Sequence, residues 1–330
     1  MNVIKRVNNV KILSTGSYVP ETVYTNEYLS TIVDTDPEWI FKNLGIRERR
    51  IVSKNQATSD LAYEASVNAL RNAFMVPTDI DLIIVATTTP DRQAPSTACI
   101  LQQKLGASNA AAFDLAAVCS GFLYALTTGV QYIASGMYEN ILVVGADTFS
   151  TVVDWTRRDC IFFGDGAGAV ILTKDNEENF IVSKLFADGR GMDAWTIPAG
   201  GSEKQASLDT INSGEHFFKM DGKAVFKTAT EVLPKAINEI LNHTKIKIEE
   251  IKYIIPHQPS IGILKETAEI LKIDFSKILT NMDKYANTSA ATIPILLDET
   301  NKQKLLERGD YIILAAVGSG WTWGAALIKW

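Results

Sequence analysis

The sequence predicts an α/β fold made from two copies of one structural unit, and three observations carry that reading. Short β-branched runs alternate with amphipathic stretches along the whole chain. Four segments of the first half recur in the second half in the same order. The chain has 330 residues, of which 46% are hydrophobic, enough for two domains or one large double-layered unit.

The elements follow in chain order. TSDLAYEASVNALRNAF reads as a helix with Leu61, Ala65 and Leu70 on one face and Ser59–Asp60 at its start. DLIIVATTT reads as a buried strand. In FDLAAVCSGFLYAL an apolar, strand-like run gives way to an apolar helix, and NILVVGAD and AGAVILT are further strands. Polar residues 174–179 and 200–206 read as exposed connections, and IKYIIPH and DYIILAAVG as strands of the second half.

The repeat is the stronger signal. DLIIVATTTPD parallels IKYIIPHQPS, each a strand followed by a loop with polar groups. FDLAAVCSGFLYAL parallels MDKYANTSAATIPILL: small residues, a polar group, then a helix. NILVVGAD parallels DYIILAAVG, and FGDGAGAVIL parallels GSGWTWGAALIKW. The boundary falls near residues 174–180, dividing the chain into halves 1–175 and 176–330. Matching strand ends would meet across a pseudo-two-fold axis, bringing Cys119, the 257 loop and the 287 loop to one place.

Composition excludes several classes. A net charge of −6 without long Lys/Arg runs argues against nucleic-acid binding and against a membrane surface. The start, MNVIKRVNNVKILSTG, lacks the apolar core of a signal peptide, and no apolar run reaches the roughly 18 residues of a membrane span. Cys99, Cys119 and Cys160 are widely spaced, with no CxxC pair, so neither a disulfide framework nor a metal site is expected. A reducing cytoplasm fits that usage.

Cys119 stands where a helix begins, over backbone N–H groups whose partial positive charge favours a thiolate. A thiolate attacks carbonyl carbon, so the position points to an acyl-accepting nucleophile, although a cysteine taken alone is more often a buried structural residue. His216 and His243 sit in polar surroundings. His257 closes an apolar strand between Pro256 and Pro259, which stiffen its backbone. Asn287 opens the helix of YANTSAATIP, where an ordinary N-cap is the competing explanation.

Cys, His and Asn at three matching junctions are far more specific together than singly. With them the chain resembles the thiolase-fold condensing enzymes, specifically β-ketoacyl-acyl-carrier-protein synthase III, nearly end to end. EWIFKNLGIRERRIV, AVCSGFLYAL, FGDGAGAVIL, HQPS, NTSAATIP and GSGWTWGAAL follow in family order and spacing. The resemblance implies a thiolase-like αβαβα fold of five layers and a homodimer whose interface completes the acyl pocket. It implies that Cys119 takes an acyl group from acyl-CoA, with the backbone N–H groups of Cys119 and Ser319 (in the Gly318–Ser319–Gly320 turn) holding the oxyanion. A malonyl thioester, on a carrier protein or CoA, would then lose CO2, its enolate held by His257 and Asn287, and attack the acyl group. Trp39 matches a tryptophan that stacks on the CoA adenine; Arg157 matches an arginine on the other face, with Arg158 the alternative because DWTRRDC is one residue short of the family pattern. No metal or redox cofactor is implied.

Four departures bear on the substrate. Pro259, Ser260 and Gly262 replace the Ala-Asn and basic residue that usually follow HQ, and Glu269 and Ile270 stand where further basic residues are common. Lys227 keeps one basic position for docking an acidic carrier protein. The loss of charge weakens carrier steering and points to a specialised pathway. Ala94 replaces a phenylalanine that gates the neighbouring subunit's acyl tunnel, which predicts acyl chains longer than acetyl. Val317 replaces a phenylalanine common in decarboxylating relatives. The competing readings are a thioester hydrolase, a transferase without condensation, and a non-catalytic partner subunit. Cysteine proteases lack this local pattern, thiolases need a second cysteine that GSGWTWG does not have, and no glutamate matches the base of a 3-hydroxy-3-methylglutaryl-type synthase.

Overall fold

The computed structural model describes residues 9–177 and 179–330. The first eight residues of the start inspected for a signal peptide, and Glu178 in the polar connection, lie outside the described residues.

The β-branched runs assemble into two sheets of the same plan. In the first half, β1 (Val10–Tyr18), β2 (Leu82–Ala86), β3 (Ala111–Leu115), β4 (Asn140–Thr148) and β5 (Asp165–Lys174) lie in the order β1-β5-β4-β2-β3. In the second, β6 (Phe180–Ala187), β7 (Ile251–Pro256), β8 (Tyr311–Gly318) and β9 (Thr322–Lys329) lie in the order β6-β9-β8-β7. Both sheets run antiparallel, antiparallel, then parallel from the first strand inward. The first continues with parallel β3, and at the equivalent place in the second Ile254 bridges Ile278 in parallel.

Helices complete the layers: α1 (Pro37–Leu44), α2 (Thr58–Ala73), α3 (Thr97–Leu105), α4 (Gly121–Ala134), α5 (Gly222–Thr244), α6 (Ile261–Leu271) and α7 (Thr292–Lys302). Strand periodicity decides where each helix packs. On β4, Ile141 and Val143 face α4 and α7, while Leu142 and Val144 face α2 and α3. On β8, Ile312 and Leu314 face the same central pair, while Ile313 and Ala315 face α5 and α6. Helices α4 and α7 therefore lie between the sheets, with α2 and α3 outside the first and α5 and α6 outside the second, giving five layers αβαβα. Leu61, Ala65 and Leu70 of α2 are buried against the first sheet, and the Asp60 carboxylate accepts from Ala57 N–H at its start.

The central layer is thin because backbone meets backbone. A methyl group on Gly145 of β4 would come within 2.3 Å of the Ala290 carbonyl oxygen, just before α7. Rigid backbone on both sides leaves nowhere to move. We expect Gly145→Ala to cost about 1–3 kcal/mol, and Gly201→Ala, with nothing within 4 Å, to stay within about 0.5 kcal/mol. Urea denaturation of the three proteins decides; equal midpoints would refute the contact's importance.

Candidate active site

Each central helix is entered through the same bent turn. Val118 at φ 48° opens a 3-10 turn, Val118–Ser120, that runs into α4; Ser289 at φ 52° opens Ser289–Ala291, which runs into α7. A left-handed conformation at a β-branched residue such as Val118 is strained, and here it immediately precedes Cys119. The turn between β8 and β9 buttresses it. A methyl on Gly318 would come within 3.0 Å of Cys119 N and 2.9 Å of Ser120 N. The Thr322 hydroxyl donates to Ala117 O at 3.1 Å, and the Ser120 hydroxyl to Thr322 O at 2.9 Å. The stretch holding Ser319 is thereby pressed against the Cys119 amide.

Cys119, His257, Asn287 and Ser319 line one cavity of about 320 Å³, whose walls are otherwise mainly apolar. Phe163 and Trp195 form one wall. Phe149 stacks on Phe163 at 4.7 Å and Phe218 on Trp195 at 5.7 Å, so that wall is solid aromatic packing. Val317 and Trp321 line another part, and Phe226, Pro259 and Ser260 are among the remaining lining residues.

Burial governs the charges. It pushes the Cys119 thiol up to about 12, with the buried Asp147 carboxylate adding to the shift and the Ser289 hydroxyl opposing it. The thiolate expected from the helix start is therefore corrected: desolvation outweighs the end of the helix, and Cys119 rests as a thiol. The same burial holds His257 neutral, its imidazole pulled down to about 3. The backbone N–H of His257 donates to Ala315 O at 2.8 Å, and the ring Nδ1 lies 2.8 Å from Thr292 Oγ1. Asn287 Oδ1 accepts from Ser289 N–H at 2.8 Å. That bond caps a turn rather than the α7 helix, whose N-cap is Ala291, and it leaves the amide NH2 of Asn287 as a donor for the cleft. Asp147, unremarked in the sequence, accepts from Thr88 N–H at 2.7 Å and from Ala290 N–H at 3.0 Å, tying the loop after β2 to the Ser289 turn.

The remaining candidates sit outside the centre. Trp39 on α1 is 40% exposed, and the guanidinium lying over its ring, 4.5 Å from the centroid, belongs to Arg158. Arg157 pairs instead with Asp159 at 2.9 Å, so of the two arginines it is Arg158 that stands beside Trp39. Ala94 is exposed and does not line the cleft of its own chain. Lys227 is exposed on α5, next to Phe226. All three cysteines are free, and among the described residues no cluster of His, Cys, Asp and Glu has the grouping of a metal site. No helix among them is long and apolar enough to cross a membrane. Trp195, Trp321, Ser289 and Thr292 were not singled out from sequence; only the small polar run of NTSAAT hinted at the last two.

Comparisons with known proteins agree with this geometry. The family 3-Oxoacyl-[acyl-carrier-protein (ACP)] synthase III matches residues 113–189, and its C-terminal counterpart residues 241–330. The chain is 47% identical over 321 residues to the β-ketoacyl-[acyl-carrier-protein] synthase III of Caldanaerobacter subterraneus subsp. tengcongensis, covering 97% of each. It is 45% identical to the Clostridium acetobutylicum protein of the same name, covering 98% of this chain and 99% of that one. The crystal structure of 3-oxoacyl-[acyl-carrier-protein] synthase III from Aquifex aeolicus VF5 superposes with a TM-score of 0.90 at 40% identity, covering 97% and 100%.

The buried neutral imidazole has a consequence for stability. The unfolded chain protonates His257 below about 6.5, the folded chain only near 3. Between those values the unfolded state binds more protons, so this group's contribution falls as pH is lowered through the window. Asp165, raised to about 6 by burial, acts in the opposite sense, so the effect must be read by difference. The stability gap between wild type and His257→Gln, from urea midpoints at pH 7 and pH 5, should narrow or invert on acidification; a gap independent of pH would contradict it.

Proposed function

The chain belongs to the β-ketoacyl-[acyl-carrier-protein] synthase III family, and on that premise we propose how its residues divide the work. It is an acyltransferase that loads an acyl group from a thioester onto a cysteine and condenses it with a malonyl thioester, with loss of CO2. The observation that carries our assignment is the convergence of Cys119, His257 and Asn287, from both halves, in one cleft.

In this reading Cys119 Sγ attacks the acyl-CoA carbonyl, the C–S bond to CoA breaks, and CoA leaves as the thiol. Because Cys119 rests protonated, its proton departs only as the attack proceeds. The N–H groups of Cys119 and Ser319 stabilise the tetrahedral oxyanion; one such donor is worth about 10²–10³ in rate. A malonyl group on a carrier protein then enters. Its thioester carbonyl accepts from Asn287 and His257, CO2 leaves, and the carbanion attacks the acyl carbon, releasing the Cys119 thiolate to take up a proton. A carboxylate in place of either donor would repel the enolate. We assign no metal or redox step, since thiol, amide and imidazole account for every electron pair.

Trp39 and Arg158 would sandwich the adenine of CoA, parting to admit it. Lys227 would meet the acidic carrier. We further propose a homodimer in which Ala94 of a second copy faces the acyl pocket, and a cytoplasmic setting that keeps the thiols reduced. Ala94 favours long acyl groups, whereas the Phe163–Trp195 wall limits what the chain itself can hold.

Intact-protein mass after incubation with acyl-CoAs from acetyl to long-chain tests the nucleophile. Wild type should carry an acyl adduct and Cys119→Ala none; absence of any adduct would sink the reading, and CoA release without adduct or condensation product would indicate a hydrolase. Strict preference for acetyl would show that the aromatic wall, and not Ala94, sets chain length. Arg158→Ala should raise the KM for acyl-CoA several-fold, in line with about 0.5–2 kcal/mol for a stacked guanidinium, while Arg157→Ala leaves it nearly unchanged. The reverse pattern would return the role to Arg157.

A further inference from the structure

A neutral histidine carries one ring proton, and which nitrogen holds it decides whether the other can donate. Asn287 poses no such question, since the Ser289 N–H occupies its oxygen and leaves the NH2 for the cleft. His257 does. Its Nδ1 faces one side-chain partner, the Thr292 hydroxyl at 2.8 Å, and the Ser289 backbone carbonyl also lies close enough to the ring to draw its proton. The same hydroxyl lies 2.9 Å from the Ser289 carbonyl oxygen. It has one proton and two acceptors in reach.

If that proton goes to the Ser289 carbonyl, the Thr292 oxygen accepts from Nδ1–H, and the remaining nitrogen, Nε2, turns a bare lone pair to the cleft. If it goes to Nδ1, the imidazole proton must sit on Nε2. Only the second arrangement lets His257 and Asn287 act together on one carbonyl oxygen. Burial removes the escape of protonating both nitrogens.

We infer that Thr292 is a positioning residue: by donating its hydroxyl to Nδ1 of His257 it fixes the tautomer that presents Nε2–H to the cleft. The inference rests on the assignment of His257 and Asn287 to the malonyl thioester carbonyl. The Ser289 carbonyl is the competing acceptor, so the device is a choice between two hydrogen bonds of one buried hydroxyl. Cys119 has no part in that choice, so acyl transfer does not depend on it.

The two half-reactions therefore separate. In Thr292→Val, which keeps the shape and loses the donor, CO2 release from malonyl-CoA should fall about 10²-fold, while acylation of Cys119 by acetyl-CoA stays within about two-fold. Thr292→Ser should restore CO2 release. Nitrogen-15 NMR reads the tautomer directly, since the chain has only three histidines: wild-type His257 should carry its proton on Nε2, and Thr292→Val should shift it to Nδ1. A wild-type signal with the proton on Nδ1 overturns the inference even if the valine variant does not fold. Equal slowing of both half-reactions in Thr292→Val, or no rescue by serine, overturns it too. His257→Ala is the control for the premise: if it releases CO2 as fast as wild type, the assignment of His257 is wrong, whatever Thr292 does.

Discussion

The site depends on backbone touching backbone across the middle of the molecule. Gly145 lies against the Ala290 carbonyl and Gly318 against the amides of Cys119 and Ser120, with no side chain between. These contacts set the distance between the two bent turns that enter α4 and α7. Larger residues would push the turns apart, and groups that must meet within hydrogen-bond reach of one substrate atom would no longer do so. Asp147, bonded to Thr88 N–H on one side and Ala290 N–H on the other, reinforces the same junction.

Such closeness makes the cleft dry, which works in two directions. Fixed N–H donors gain strength where water is excluded, and this suits a reaction whose intermediates are an oxyanion and an enolate. The same exclusion penalises resting charge, so the Cys119 thiol rises to about 12 and the His257 imidazole falls to about 3. The resting site is neutral and polar rather than ionic. Charge arises only with substrate present, where donors already stand ready.

The halves share a plan and divide the labour. The equivalent turns carry left-handed residues at Val118 and Ser289, but one places the thiol of Cys119 at its next residue and the other a small alanine whose amide serves Asp147. Duplication supplies two matching frames, and the chemistry lies in where they differ. The aromatic wall of the cleft joins Phe149 and Phe163, before β5 in the chain, to Trp195 and Phe218, after β6.

The sequence by itself determined the α/β class, the repeat, and the identities of Cys119, His257 and Asn287 as candidates, because these rest on local patterns. Alternation places residues on strand faces, and strand-to-helix junctions mark where functional groups emerge. It could not decide between Arg157 and Arg158, since both lie in one loop and only the position of Trp39 favours one. Nor could it foresee the protonated thiol: a helix start is visible in sequence, but the desolvation that outweighs it comes from neighbours throughout the chain. Thr292 is the clearest case. Its hydroxyl meets an imidazole 35 residues away, and only the tertiary fold, by bringing β7 against the start of α7, decides what that pair can do with a single proton.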